Sequence, residues 1–305
     1  MHQLRDAESR TAAAVLSDEA ASGAAGGRPA EQSAFSSGGR SPVRSRNAQP
    51  AVVFVHGMRT SSAIWEHQLA HVRDAGHEAV AVDLPGHGDR RHERFSMARA
   101  FDVIDDAVAS FGSMPVALVG LSLGGYTSLG WAARHSSTDS GSHLAGIVAA
   151  GCSSDPKGKP VALYRDVARL AVSGTTAVGL RARRVARWWQ SSLTAGRTSP
   201  GGTDLRALTA PALATTYRPG WDVVTDALTH VAGRSSVADL RAVRAPVWLV
   251  NGERDRMRLG ETRHLVAAER GALVVVPRAG HDVNTDAPDA FNRVLIRALR
   301  DFARS

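Results

Sequence analysis

Three short stretches of this chain carry the residue types of nucleophilic catalysis. In Gly120-Leu121-Ser122-Leu123-Gly124, a serine stands between glycines where the apolar run PVALVG ends and the amphipathic run YTSLGWAAR begins. A strand feeding straight into a helix through such a turn forces the serine into strained backbone angles. It also lifts the hydroxyl clear of the sheet, with a helix N-terminus behind it. A hydroxyl is a weak nucleophile until a base takes its proton, and the base needs an acid to orient it. Downstream, PVWLVNGERDRM places Asp255 just past a strand end, and LVVVPRAGHDVNTD places His281 in a loop past the last strand. The order Ser, acid, His is the one this strand-turn-helix setting calls for.

Two other carboxylates compete for the acid's role. Glu253 is closer to the strand end, and Asp155 in CSSDP follows the preceding strand. Asp255 is the preferred acid of the three. An attacked carbonyl also needs hydrogen-bond donors for its developing oxyanion. The Leu123 N–H supplies one, and the loop His56-Gly57-Met58-Arg59-Thr60 after the first strand supplies Met58 N–H as the second. Gly57 is expected to make the turn, the Met58 side chain to sit at the pocket rim, and the His56 side chain to be a satisfied structural group.

These positions require a particular frame. AVVFVHG, EAVAVDLPG, PVALVG, LAGIVAAG, PVWLVNG and LVVVP are short, Val-rich apolar runs, the pattern of strands buried on both faces. Helical patterns over 62–75, 96–111, 123–135, 260–270 and 288–304 alternate with them, which predicts a parallel α/β sheet with right-handed crossovers. The alternation breaks between Gly151 and Pro246. That stretch predicts a helical cap over 153–239, set above the strands' carboxyl ends, with the α/β core in 49–152 and 240–305. Residues 1–48 are rich in Ala, Ser, Gly and Arg, with one aromatic (Phe35). Too little apolar surface is present there to offset ordering entropy, so a disordered tail is expected.

Composition narrows the classes. No apolar run is long enough to span a bilayer, and the 11–16 run followed by Asp18 and Glu19 does not make a signal peptide. The single cysteine, Cys152, fits a reducing compartment, and a cytoplasmic location is expected. The formal charge of +8 is concentrated in 153–240, where twelve Lys or Arg face six Asp. Its densest piece, 180–189, reads as a solvated helix face with its aromatics packed inward. Neither a nucleic-acid partner nor membrane association is expected, and oligomeric state is left open.

VFVHGMRTSSAIW, AVDLPGHGDR, VGLSLGGY, NGERDRM and AGHDVN, in that order, resemble the α/β-hydrolase superfamily, in its branch of cap-bearing serine esterases. The resemblance covers residues 51–304. It implies a mostly parallel central sheet flanked by helices, with a helical cap inserted after the family's sixth strand. Residue by residue it implies Ser122 as nucleophile, Asp255 as acid, His281 as base, and Met58 and Leu123 as oxyanion donors. The 83–88 turn is implied to support the neighbouring active-site loop. The antiparallel strand pair that usually opens the fold is not visible in 30–50, so six parallel strands are expected. Serine at 122 disfavours the aspartate-nucleophile branches.

The expected activity is hydrolysis of a small carboxylic ester through an acyl-enzyme, without metal or organic cofactor. Thioester, lactone and carbon–carbon hydrolysis use the same triad, and a binding protein of the same fold with little turnover is the alternative of another class. In the cap, Trp188, Trp189, Tyr217 and Trp221 are candidate pocket walls.

Overall fold

A computed structural model describes residues 49–136, 143–157 and 220–305. The predicted tail, the basic 180–189 segment, Trp188, Trp189, Tyr217 and most of the predicted cap lie outside the described residues. Within them, six strands form one sheet: β1 (Ala51–Val55), β2 (Ala79–Val82), β3 (Val116–Leu121), β4 (Leu144–Ala150), β5 (Val247–Gly252) and β6 (Gly271–Val276). Their spatial order is β2-β1-β3-β4-β5-β6, and every pairing is parallel. The expectation of six parallel strands is met.

Side chains alternate across this sheet with period two, so each strand feeds two cores. Ala51, Val53, Val55, Leu118, Ile147 and Ala149 face one way. They pack against α2 (Met97–Ala109), α3 (Leu123–His135) and α5 (Ser236–Ala242). Val52, Phe54, Ala117, Val119, Val148 and Ala150 face the other way, against α1 (Glu66–Asp74) and α8 (Pro288–Phe302). Burial on both faces is why the strands read as continuous apolar runs rather than as alternating ones.

Local chemistry sets the helix limits. Ser96 caps α2 by accepting the Arg99 N–H at 3.2 Å, and Pro288 opens α8 at a position where its missing N–H costs nothing. The 62–75 helical pattern divides into a 3₁₀ turn (Ser62–Trp65) and α1. Between β4 and β5 the described residues contain α4 (Trp221–Val231) and α5. Helix α4 packs on α2, and Val223 lies against Gly86; α5 packs on α3. After β5 come a 3₁₀ turn (Arg256–Gly260) and α6 (Glu261–Ala267), and after β6 the one-turn helix α7 (Val283–Asp286).

Candidate active site

From β1 the chain runs outward to β2, then crosses back to β3 on β1's other side. A reversal of this kind parts the connections on the two sides and leaves a crevice at the strands' carboxyl ends. The two segments bordering it are the 57–60 loop after β1 and Ser122 after β3.

The serine sits in a forced backbone. Ser122 has φ 52° and ψ −113°, a region that side-chain-bearing residues seldom occupy. Its N–H is tied to the Ala150 carbonyl at 2.7 Å, while its own carbonyl accepts the Tyr126 N–H at 3.0 Å to start α3. The flanking glycines are demanded by space. A Cβ on Gly120 would lie 2.4 Å from the Gly124 carbonyl oxygen, and one on Gly124 would lie 2.1 Å from the Val55 carbonyl oxygen. The G-x-S-x-G spacing therefore records helix α3 pressed onto the ends of β1 and β3.

The sequence-predicted acid and base meet across two other strand ends. Asp255 Oδ2 lies 3.1 Å from His281 Nδ1, with the carboxylate side chain fully buried. The other oxygen, Oδ1, accepts the Met257 N–H at 2.8 Å, which caps the 3₁₀ turn and fixes the carboxylate plane. Nδ1–H donating to the carboxylate leaves Nε2 as the unprotonated, basic nitrogen. Burial depresses the His281 pKa. The Asp255 hydrogen bond and charge, with Asp282 and Asp286 beyond, more than offset it, so the net shift is upward. The ring rests on Gly151, where a Cβ would stand 3.2 Å from Nδ1 and Cε1. Gly151 follows the residue that holds the Ser122 N–H, so Ser122 and His281 are anchored on consecutive residues at the end of β4. Ser122 Oγ and His281 Nε2 are not hydrogen-bonded to each other.

The competing acids are committed elsewhere. Glu253 accepts the N–H of Arg278, the left-handed residue (φ 61°) that turns the chain toward His281. Asp155 is buried and accepts Lys157 N–H, Ser235 Oγ–H and Ser236 N–H, with Arg263 at 3.8 Å. It thereby fastens residues 155–157 to the start of α5. Asp286 Oδ2 holds the Gly280 N–H at 2.8 Å, directly before His281. Cys152 is buried beside Gly125, where a Cβ would stand 2.7 Å from its Sγ. Burial and the Asp255 charge push its thiol up to about 12, so it stays protonated.

On the oxyanion side, Met58 and Leu123 have N–H groups without a partner among the described residues. For Leu123 that follows from its place as the first residue of α3. Gly57 is not the left-handed residue of the loop; Arg59 is, at φ 60°. A Cβ on Gly57 would sit 3.6 Å from Ser122 Cβ, which measures how near the loop comes to the serine. The Met58 side chain is partly buried and packs on the core face that holds Val53 and Leu118. His56 is buried and neutral: burial, with His87 nearby, lowers its pKa to about 3. Its Nε2 accepts the Leu84 N–H at 3.0 Å, so Asp83 at 3.9 Å from that nitrogen forms no ion pair with it. Asp83 instead accepts the N–H groups of Ser62 and Asp89, tying the 83–88 turn to the loop after β1.

Sequence reasoning did not reach the roles of Asp155 and His87, whose partners include residues on remote segments, or of Asp286, which holds the Gly280 N–H six residues earlier. Trp221 begins α4. No group of three or more His, Cys, Asp or Glu able to hold a metal occurs among the described residues, and no described helix is long and apolar enough to cross a membrane.

Comparison with known proteins agrees with this architecture. Residues 52–294 match the alpha/beta hydrolase family, and the chain belongs to it. It is 26% identical over 264 residues to a 2-succinyl-6-hydroxy-2,4-cyclohexadiene-1-carboxylate synthase of Enterobacter sp. (strain 638), covering 82% of this chain and 92% of the relative. It is 24% identical over 301 residues to an esterase of Mycobacterium tuberculosis, covering 94% of each. The solved structure of MenH from S. aureus superposes with a TM-score of 0.63 at 15% identity, over 84% of this chain and 95% of that one.

Proposed function

We propose that this member of the α/β hydrolase family is a serine hydrolase that cleaves a small carboxylic ester, with Ser122 as nucleophile, His281 as base and Asp255 as orienting acid. The observation that carries the reading is the buried Asp255–His281 pair at 3.1 Å, on the same sheet edge as a serine held at φ 52°. A carboxylate on Nδ1 fixes the tautomer a base needs, and a strained strand-to-helix turn between obligatory glycines lifts the Ser122 hydroxyl clear of the sheet.

In the reaction, the Ser122 Oγ–H bond breaks as its proton passes to His281 Nε2 and Oγ bonds the ester carbon. The carbonyl electrons move onto oxygen, where Met58 and Leu123 N–H groups stabilise the charge; removing one such donor costs about 10²–10³ in rate. The tetrahedral species collapses by breaking the bond to the alkoxy oxygen, which takes the Nε2 proton and leaves as alcohol. Water, deprotonated by the same nitrogen, then attacks the acyl-serine and releases the acid. Asp255 keeps its charge throughout and stabilises the imidazolium.

The two relatives carry different activities in their names, one a synthase and one an esterase, so the bond cleaved is tested directly. Purified protein is assayed on a chain-length series of aryl esters, thioesters and lactones, and labelled with a fluorophosphonate. Ester turnover and labelling, both lost in Ser122→Ala, are expected. Equal labelling of Ser122→Ala would overturn the reading, and turnover of thioesters or lactones alone would replace the substrate class.

A further inference from the structure

The peptide joining Gly57 to Met58 has a feature that no motif announces. Its N–H is the proposed second oxyanion donor, and its C=O is gripped twice. His56 Nδ1 lies 2.7 Å from Gly57 O, and Thr60 Oγ1 donates to the same oxygen at 2.8 Å. In a trans peptide the C=O and N–H point in opposite directions, so whatever holds the carbonyl also aims the N–H.

We propose that His56 and Thr60 are positioning residues that aim and polarise the Met58 N–H by clamping the carbonyl of the same peptide. The proposal rests on the serine-hydrolase reading above. Two hydrogen bonds on the carbonyl oxygen strengthen the N–H at the other end of the peptide as a donor, because bonded amides polarise one another. The clamp is itself held in the right protonation state. The Leu84 N–H occupies His56 Nε2, which forces the proton onto Nδ1, where it faces Gly57 O.

The next peptide is fixed by the same logic from the opposite side. Arg59 N–H donates to His87 Nε2 at 3.3 Å, and His87 Nδ1 faces Pro85 O at 2.9 Å. Each histidine thus bonds a carbonyl of its own loop and accepts an N–H from the other. Their ring centroids are 4.8 Å apart. This reciprocal arrangement accounts for the left-handed backbone of Arg59, a conformation a non-glycine residue keeps only when its surroundings impose it.

The test separates aiming from folding. Thr60→Val keeps the side-chain volume and removes one grip, while Thr60→Ser restores the hydroxyl. His56→Asn keeps a donor near the Nδ1 position, and His56→Gln places its amide where Nε2 stood. Steady-state kinetics on the best aryl ester are measured with affinity for a boronic acid that mimics the tetrahedral state, alongside thermal midpoints. Thr60→Val is expected to lose about tenfold in kcat and in boronate affinity with KM within twofold, since it weakens without deleting one oxyanion donor. Thr60→Ser is expected to recover most of that loss, and His56→Asn to exceed His56→Gln in kcat. A Thr60→Val protein with wild-type kcat and boronate affinity overturns the proposal, as does a loss shared equally by kcat, KM and thermal midpoint. Ser122→Ala run in parallel keeps the two readings apart: if it retains activity, the serine-hydrolase reading itself fails.

Discussion

His56 and His281 stand at the carboxyl end of the same sheet, flank the same serine, and have been given opposite electrostatic settings. His56 is surrounded by backbone: Gly57 O on one nitrogen, Leu84 N–H on the other, and a second neutral ring beside it. Burial dominates and holds it neutral, with a pKa of about 3. His281 is largely enclosed, its side chain 13% exposed, yet Asp255, Asp282 and Asp286 outweigh its burial and raise its pKa. Histidine type therefore says little about role. A ring between a carbonyl and an N–H is a rigid strut, whereas one that faces a carboxylate can take up and return a proton.

The most severe way to break the contrast is to remove the carboxylate from the base. Asp255→Asn offers Nδ1 an amide that can settle the imidazole in the wrong tautomer. A fall in kcat of about 10⁴ is expected, with the thermal midpoint little changed. Retention of more than a tenth of wild-type kcat would mean that another group serves as the acid.

Asp155 provides the counterpart among carboxylates. It is as buried as Asp255 but faces backbone and serine donors, so it is a strut where Asp255 is the proposed orienting acid. Asp155→Ala leaves Ser236 N–H and Ser235 Oγ–H without their acceptor. A loss of about 2–4 kcal/mol in unfolding free energy is expected, with kcat within about threefold. Denaturant unfolding and kinetics on one preparation check both halves. The reverse pattern, full stability and a large kcat loss, would move the acid's role to Asp155.

These cases mark what the sequence made legible. The elbow at Ser122 was readable because its causes are local: an apolar run, two glycines and a helical pattern within a dozen residues. The six strands were readable because burial on both faces leaves unbroken Val-rich runs. Asp255 was separable from Glu253 and Asp155 only as a preference, because the choice depends on where Arg278 and Ser236 arrive from remote parts of the chain. The His56–Leu84 and His87–Arg59 bonds each span 28 positions, beyond any spacing rule. The left-handed residue of the loop after β1 is Arg59, whose N–H is held by His87, a partner that composition does not reveal.

A smaller effect bears on His281 alone. A base that must be neutral gives a kcat/KM that falls as pH drops through its pKa, here raised above the ordinary histidine value of 6.5. The acidic limb is therefore expected to have its midpoint above that value. Asp286→Asn is expected to move the midpoint to lower pH by deleting one charge that favours the imidazolium. His56→Asn should leave it in place. A midpoint that follows the His56 substitution would identify the wrong histidine as the base.

The smallest effect is on stability, and there the two histidines pull in opposite directions. For His56 the folded value is below the unfolded one, so between about 3 and 6.5 the unfolded chain binds the extra proton. Stability then rises with pH across that window, and His87 and His264, both also lowered chiefly by burial, add the same sign. For His281 the folded value is the higher one. Its contribution is fully present below the unfolded value of 6.5 and is lost as pH rises through the folded value. Chemical denaturation from about pH 5 to about pH 8 is therefore expected to show a rise toward neutrality and then a small decline as the His281 contribution is lost. His56→Asn should flatten the rise, and His281→Gln should remove only the downward contribution above 6.5. If His281→Gln flattened the acidic rise instead, His281 would be a neutral strut like His56, and the distinction drawn between the two sides of the serine would not hold.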